Sequence, residues 1–247
     1  TAYPDFEALY AAFEAELDRE YAVITRALDI ASECYAEYRP CYMLSSLVLD
    51  CLERGREQQD GGARYHYCGF APLGITAAAD ALTALRCAVF DERFVTAHEL
   101  LAALRANFDG YEALRERLSR LPKYGQEDAA ADAMCARVLQ SVCRLADAQR
   151  NRWGGRLRPM VFNFVWTPSA SAELGARADG SRAGALIGHG MTPASAAMTR
   201  GVTAAMNSRT ALDYGCVSGG ATTMWDMDAR WITPELLSHP EEELRAW

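Results

Sequence analysis

The stretch DGGARYHYCGFAPLGITAAADALTAL, residues 60–85, limits what this chain can fold into more than any other. A glycine pair leads through Tyr65, His66 and Tyr67 into a run whose side chains are mostly methyl groups. A helix built this way offers its neighbours little but backbone. Glycine loses more chain entropy on folding than other residues, yet glycine and alanine both let two backbones approach closely. The segment therefore predicts a helix pressed hard against its surroundings, next to a short aromatic segment.

The chain around it reads as helix-rich over residues 1–150. Phe6, Leu9, Tyr10, Phe13 and Leu17 recur at 3-4-3-4 spacing, one apolar stripe that Pro4 and Asp5 begin and Pro40 bounds. A second helix is expected from Tyr42 to Glu53, stopping at Gly55. Thr96-Ala-His-Glu99 is a capping box ahead of Leu100, Leu101 and Leu104, which should face inward. A further helix should follow Gly110 and end at Pro122. Another should start near Glu127, burying Ala133, Met134, Val138, Val142 and Leu145. The texture changes after RNRWGGRLRP, so residues 151–247 read as strands, a long loop and short helices. MVFNFVW (160–166) and ATTMWDMD (221–228) read as strands. Residues 167–201 read as a long loop, VTAAMNSRTAL as a short helix, and Thr233-Pro234-Glu235 as a helix start.

Several functions are excluded on chemical grounds. A net charge of −8 with scattered Lys and Arg does not make a nucleic-acid or anionic-membrane surface. No apolar run approaches the roughly 20 residues that span a bilayer. Residues 1–20 are acidic and do not resemble a signal peptide. The eight cysteines are spread out and none forms Cys-x-x-Cys, so reduced thiols in a cytoplasm are expected. The four histidines have no ligand spacing, so no metal site is expected. P-loop, dinucleotide-binding and serine-elbow motifs are absent.

Four stretches, in order, resemble glycyl radical enzymes, the pyruvate formate-lyase family. They are GGARYHYCGFAPLGITAAADALTAL, ELLAALRANFDGYEALRERLSRLPKYGQEDAAAD, GARADGSRAGALIGHGMTPAS and GVTAAMNSRTALDY. The resemblance runs from about Phe6 to Glu235. It implies part of a ten-stranded α/β barrel, in which two five-stranded halves enclose a pair of finger loops. In such enzymes an activating enzyme that uses S-adenosylmethionine and an iron–sulfur cluster makes a glycyl radical. That radical oxidises a cysteine to a thiyl, which takes hydrogen from a small substrate. The implied chemistry is lysis or dehydration of a small polar metabolite, with formate-lyase and decarboxylase activities as neighbouring options. Implied partners are the remainder of the enzyme, the activating enzyme and a second copy in a homodimer.

The departures are specific. No Arg-Val-x-Gly-Tyr occurs in the sequence, and its one Cys-x-Glu, Cys51-Leu52-Glu53, falls on a helical pattern just ahead of the Gly-Gly-Ala-x-Tyr stretch, whereas the family's thiyl cysteine lies well upstream of that stretch. Cys216, in YGCVSGG, is a lookalike for the thiyl cysteine but follows the Asp-Gly-x-Arg loop and has Ser218 where Glu would stand. The chain therefore reads as barrel wall without either radical residue and without a glycyl radical domain. On its own it should be inactive and should associate with a partner. The alternative is a non-catalytic scaffold derived from the family.

Candidate site residues follow, each with a plainer reading beside it. Asp179, Gly180 and Arg182 suit either substrate contact or a turn braced by a salt bridge. Tyr65 and His66 suit a pocket, or packing at its rim. Asp80 is a carboxylate on a face suited to burial, and serves either catalysis or pairing within the fold. His189 lies between two glycines and suits a mobile reach toward a site, or plain surface. Trp225, Trp231, Met224 and Met227 read as core.

Overall fold

A computed structural model describes residues 3–162, 165–194 and 197–225, together with Pro234. Its first element, α1 (Phe6–Tyr38), starts where Asp5 accepts a hydrogen bond from the Ala8 amide at 2.8 Å. The expected second helix is broken into α2 (Tyr42–Ser45) and α3 (Cys51–Arg54). The break falls at Asp50, whose φ of +73° is left-handed and incompatible with a continuing helix. Arg54 and Arg64 hold its carboxylate there.

Next come β1 (Cys68–Phe70) and the alanine-rich α4 (Ile75–Leu85). A π-helical turn over Arg86–Asp91 extends α4. Then follow α5 (Ala97–Arg105), α6 (Glu112–Ser119) and α7 (Ala129–Ala148). Thr96 caps α5 by accepting from the Glu99 amide at 3.1 Å, and Asp128 caps α7. Two inward assignments fail. Leu101 is exposed on α5 and Ala133 is exposed on α7, each lying off the buried stripe of its helix.

The strand after α7 also lies elsewhere than expected. β2 is Leu157–Pro159, upstream of MVFNFVW, which contributes an isolated bridge at Val161 before α8 (Trp166–Ala172) begins. Thus α8 occupies the start of the expected long loop. The last described helix is α9 (Gly201–Thr210). Ala221 supplies a parallel bridge to Val161 where a strand was expected, and Met224 is exposed rather than core. Trp231, Met227 and the Thr233-Pro234-Glu235 start involve residues outside the described ones, Pro234 excepted.

β1 and β2 pair in parallel, with Cys68 opposite Leu157, Gly69 opposite Arg158 and Phe70 opposite Pro159. A parallel pair needs a long crossover, and α4 to α7 supply it. Alternation then sorts the residues by face. Cys68, Phe70, Leu157 and Val161 turn toward α1, α4 and α7 and join one apolar cluster with Tyr10, Leu82, Val138 and Leu139. Full burial of a leucine or valine such as these contributes about 1.5–3 kcal/mol. A second cluster gathers Ala84, Val95, Leu100, Phe108 and Leu118 under α5 and α6. Along the seam of α1 and α7, Tyr10 Oη meets Ser141 Oγ at 3.0 Å, and Arg137 pairs with Glu7 at 2.6 Å. Gly69, Arg158 and Met160 turn the other way, to a face on which none of these helices packs.

Candidate functional site

That uncovered strand face forms one wall of a cavity of about 340 Å³, lined by Tyr67, Gly69, Arg158, Met160, Ser218 and Gly219. Two glycines shape it. A Cβ on Gly69 would lie 2.7 Å from Met160 Cε, and one on Gly219 would lie 2.0 Å from Met160 Cγ. Met160 is thus clamped flat against the wall. Arg158 reaches Asp147 Oδ1 at 3.0 Å, and Arg156 takes the other oxygen at 2.7 Å. One carboxylate at the end of α7 therefore aims two guanidinium groups.

A shallower depression of about 320 Å³ adjoins it and shares Tyr67 and Arg158. Tyr65 and His66 line this one. Tyr65 is exposed, whereas the His66 ring lies 5.8 Å from that of Trp153. The His66 carbonyl is held from beneath: Asn151 Nδ2 donates to it at 2.8 Å, while Asn151 Oδ1 accepts from the Trp153 and Gly155 amides. Sequence reading missed Asn151. Its signal was an Asn placed just before a Gly-Gly turn, a residue that closes local backbone turns.

Asp80 and Asp179 line neither cavity. They meet instead in a buried charged cluster. Asp80 is 1% exposed and its Oδ1 accepts from the Tyr124 amide at 2.8 Å. Its Oδ2 has no hydrogen-bond partner. Burial pushes this carboxyl up to about 7, against the Tyr124 amide and the nearby Lys123 and Arg177 charges. Lys123 is itself buried, donating to the Ser119 carbonyl at 2.9 Å and, more weakly, to those of Leu121 and Leu118. Asp179 Oδ1 accepts from the Ser181 amide at 2.9 Å, and its Oδ2 lies 3.7 Å from Arg177 Nε. Tyr124 closes the group by donating to the Met191 carbonyl at 3.2 Å. The cluster joins α4, the turn before α7 and the 177–191 loop, with Asp80 buried at its centre.

Gly180 and Arg182 belong to the same loop. Arg182 Nη1 donates to the Asn107 carbonyl at 2.8 Å and pairs with Asp109 at 2.6 Å, while the Ala183 amide donates to Asn107 Oδ1. These bonds pin the loop to the turn after α5. Gly180 has φ +88°, and a Cβ there would meet the Arg115 carbonyl oxygen and the Ser119 amide nitrogen, both at 2.9 Å. Gly180→Ala should therefore cost about 2–3 kcal/mol in urea unfolding with an unchanged slope. A cost below ~0.5 kcal/mol would show the loop to be loosely held.

His189 is half-buried, with Nδ1 3.4 Å from Thr167 Oγ1. The glycines beside it are not hinges. Both are buried, and a Cβ on Gly188 would come within 2.0 Å of the Thr192 carbonyl oxygen. Cys216 is half-buried and does not line the cavity formed by its neighbours Ser218 and Gly219. Among the described residues no group of three metal-ligating side chains occurs, and no helix is long and apolar enough to cross a membrane.

A parallel strand pair with helices on one face and glycines on the other defines a piece of an α/β barrel wall. The chain belongs to the pyruvate formate lyase-like family, whose sequence model matches residues 1–167. Among curated proteins it is 29% identical, over 86% of its length, to trans-4-hydroxy-L-proline dehydratase of Clostridioides difficile. Among solved structures it superposes on a glycyl radical enzyme from Archaeoglobus fulgidus with a TM-score of 0.90 and 27% identity over 98% of its length. On the glycerol-bound B12-independent glycerol dehydratase from Clostridium butyricum the TM-score is 0.84, at 28% identity over 89% of the chain. The chain spans 27–31% of the length of these proteins.

Proposed function

We propose that this chain is wall and chamber lining of a glycyl radical lyase or dehydratase that acts on a small polar metabolite. The observation that carries the reading is the two-sidedness of the β1–β2 pair. One face is sealed into an apolar core, while the other presents Gly69, Met160 and Arg158 to a cavity. A reaction that runs through a carbon radical needs water and oxidants kept away, and a close-packed wall provides that.

In this reading the radical glycine and thiyl cysteine are supplied from outside the motifs of this chain, and an S-adenosylmethionine/iron–sulfur activating enzyme installs the radical. Residues here hold substrate and exclude water. Arg158 and Tyr67 are the polar groups placed to meet a substrate; Asp80, Asp179, Gly180 and Arg182 fix the wall behind them. The partners are the rest of the enzyme and a second copy, working in the cytoplasm, and the chain alone is inactive. A broad apolar surface supports the need for partners: Tyr38, Tyr42, Met43 and Leu47 are 72–81% exposed. The same surface supports a second reading, in which the chain is a scaffold that kept the wall and lost the chemistry.

Electron paramagnetic resonance separates the two. The intact protein carrying this segment, treated anaerobically with its activating enzyme and S-adenosylmethionine, should show the doublet of an α-carbon radical. A silent spectrum from folded, activated protein would leave the scaffold.

A further inference from the structure

The depression beside the cavity carries a charge that the function proposed above does not use. It lies where the two strands begin, between His66 ahead of β1 and Arg156 ahead of β2. Arg64, Arg156 and Arg158 line it together with Tyr65, Tyr67 and Trp153, and no carboxylate does. The whole chain, by contrast, has a net charge of −8.

The ion pairs leave positive charge over. Asp147 serves Arg156 and Arg158 together, at 2.7 and 3.0 Å. Asp50 serves Arg64 and Arg54 together, at 2.5 and 3.1 Å. Each carboxylate cancels only one of its two guanidinium charges, so one positive charge remains on each group. The arginines stacked on Trp153 are matched singly, Arg56 with Asp60 at 3.3 Å and Arg152 with Glu33 at 2.8 Å. Glu53 also acts on Arg64, but it does not line the depression. Arg156 and Arg158 each use a single terminal nitrogen on Asp147, and their remaining N–H groups have no acceptor among the described residues. The shared carboxylates thus hold the guanidinium groups in place without neutralising them.

We propose that this depression is a site for a small phosphate monoester, its dianion held by Arg64, Arg156 and Arg158 and its organic part laid against Tyr65, Tyr67 and Trp153. Two surplus positive charges match a phosphate monoester, which near neutral pH carries about −1.5 to −2 and offers three acceptor oxygens to forked donors. The three arginine side chains are 40–50% exposed, so a ligand reaches them from solvent. The volume of about 320 Å³ suits a small ester. The proposal goes beyond the radical reading and does not rest on it, because an oxyanion binds with no radical present.

The test labels the full chain with phenylglyoxal at neutral pH, with and without ligand, and maps modified arginines by mass spectrometry. Phenyl phosphate should protect Arg64, Arg156 and Arg158 while exposed Arg120 on α6 labels as before. Benzenesulfonate, the same ring with one charge, should need about tenfold more for equal protection, and phenol should give none. Arg156→Gln, melted first to confirm its fold, should weaken phenyl phosphate protection of Arg158 about tenfold. If that variant does not fold, Arg158→Gln should weaken protection of Arg156 likewise. Benzenesulfonate or phenol protecting as well as phenyl phosphate, Arg120 protected to the same extent, or full protection in the folded variant would overturn the proposal.

Discussion

Gly155→Ala should abolish the β1–β2 pairing and cost at least ~4 kcal/mol, the range reserved for backbone collisions that nothing can relieve. A Cβ at this position would sit 1.1 Å from the His66 carbonyl oxygen and 2.1 Å from its carbonyl carbon. Backbone is the obstacle, so no rotamer change can make room. The shift needed would break the bond from Asn151 to His66 and pull β1 off its register with Leu157. Gly154 is the control. It has φ +77°, but a Cβ there would meet nothing within 4 Å, so Gly154→Ala should cost only the left-handed strain of about 1–2 kcal/mol. Urea unfolding of the two variants side by side measures the difference. Equal costs would mean that close approach does not govern this corner of the wall.

Asp80 should make stability fall as pH rises. Its folded carboxyl titrates at about 7 against an ordinary value of 3.8, so between those values the folded chain holds a proton that the unfolded chain has lost. The stabilisation is complete below the unfolded value and is gone once pH passes the folded one. From pH 5 to pH 8 this single group should remove roughly 2–3 kcal/mol, at about 1.4 kcal/mol per pH unit over the buffered part. Asp80→Asn cannot titrate, and its side-chain oxygen can still accept from the Tyr124 amide. The drop from pH 5 to pH 8 should therefore be smaller by that amount in the variant. Lys123, Asp179 and Arg177 face the same cluster and remain in both proteins, as do the histidines, so the comparison reads the residue at position 80. Parallel stability–pH curves for the two proteins would contradict a proton held at Asp80.

The parts of the fold written in local periodicity were legible in the sequence. The α1 stripe with its Asp5 cap, the Thr96 box and the long α7 all follow from 3.6-residue spacing and capping chemistry, which operate within one turn of helix. What depends on distant partners was not. β2 contains Arg158 and Pro159, a poor strand by propensity, and it forms because β1 lies beside it; MVFNFVW is more apolar and contributes Val161 as a bridge. Asp50 breaks a plausible helix because Arg64, fourteen residues on, holds its carboxylate. The glycines around His189 read as freedom and are the opposite, since only the fold brings Thr192 and Thr222 carbonyls against them. For the candidate site, the oddity of Asp80 was visible, but its neighbours Lys123, Tyr124 and Asp179 lie far along the chain. Met160 gave no sign that it would lie between two glycines.

In the proposed barrel the helix-free face of β1–β2 looks into a closed interior when the rest of the enzyme is in place. Hydroxyl-radical footprinting of Tyr67, 68% exposed in this chain, tests it directly, with Leu101 on α5 as an outer reference. Tyr67 should be labelled in the isolated chain and protected in the enzyme assembled with its remaining parts, while labelling of Leu101 stays the same. Equal labelling of Tyr67 in both would place this face on the outside and contradict the account.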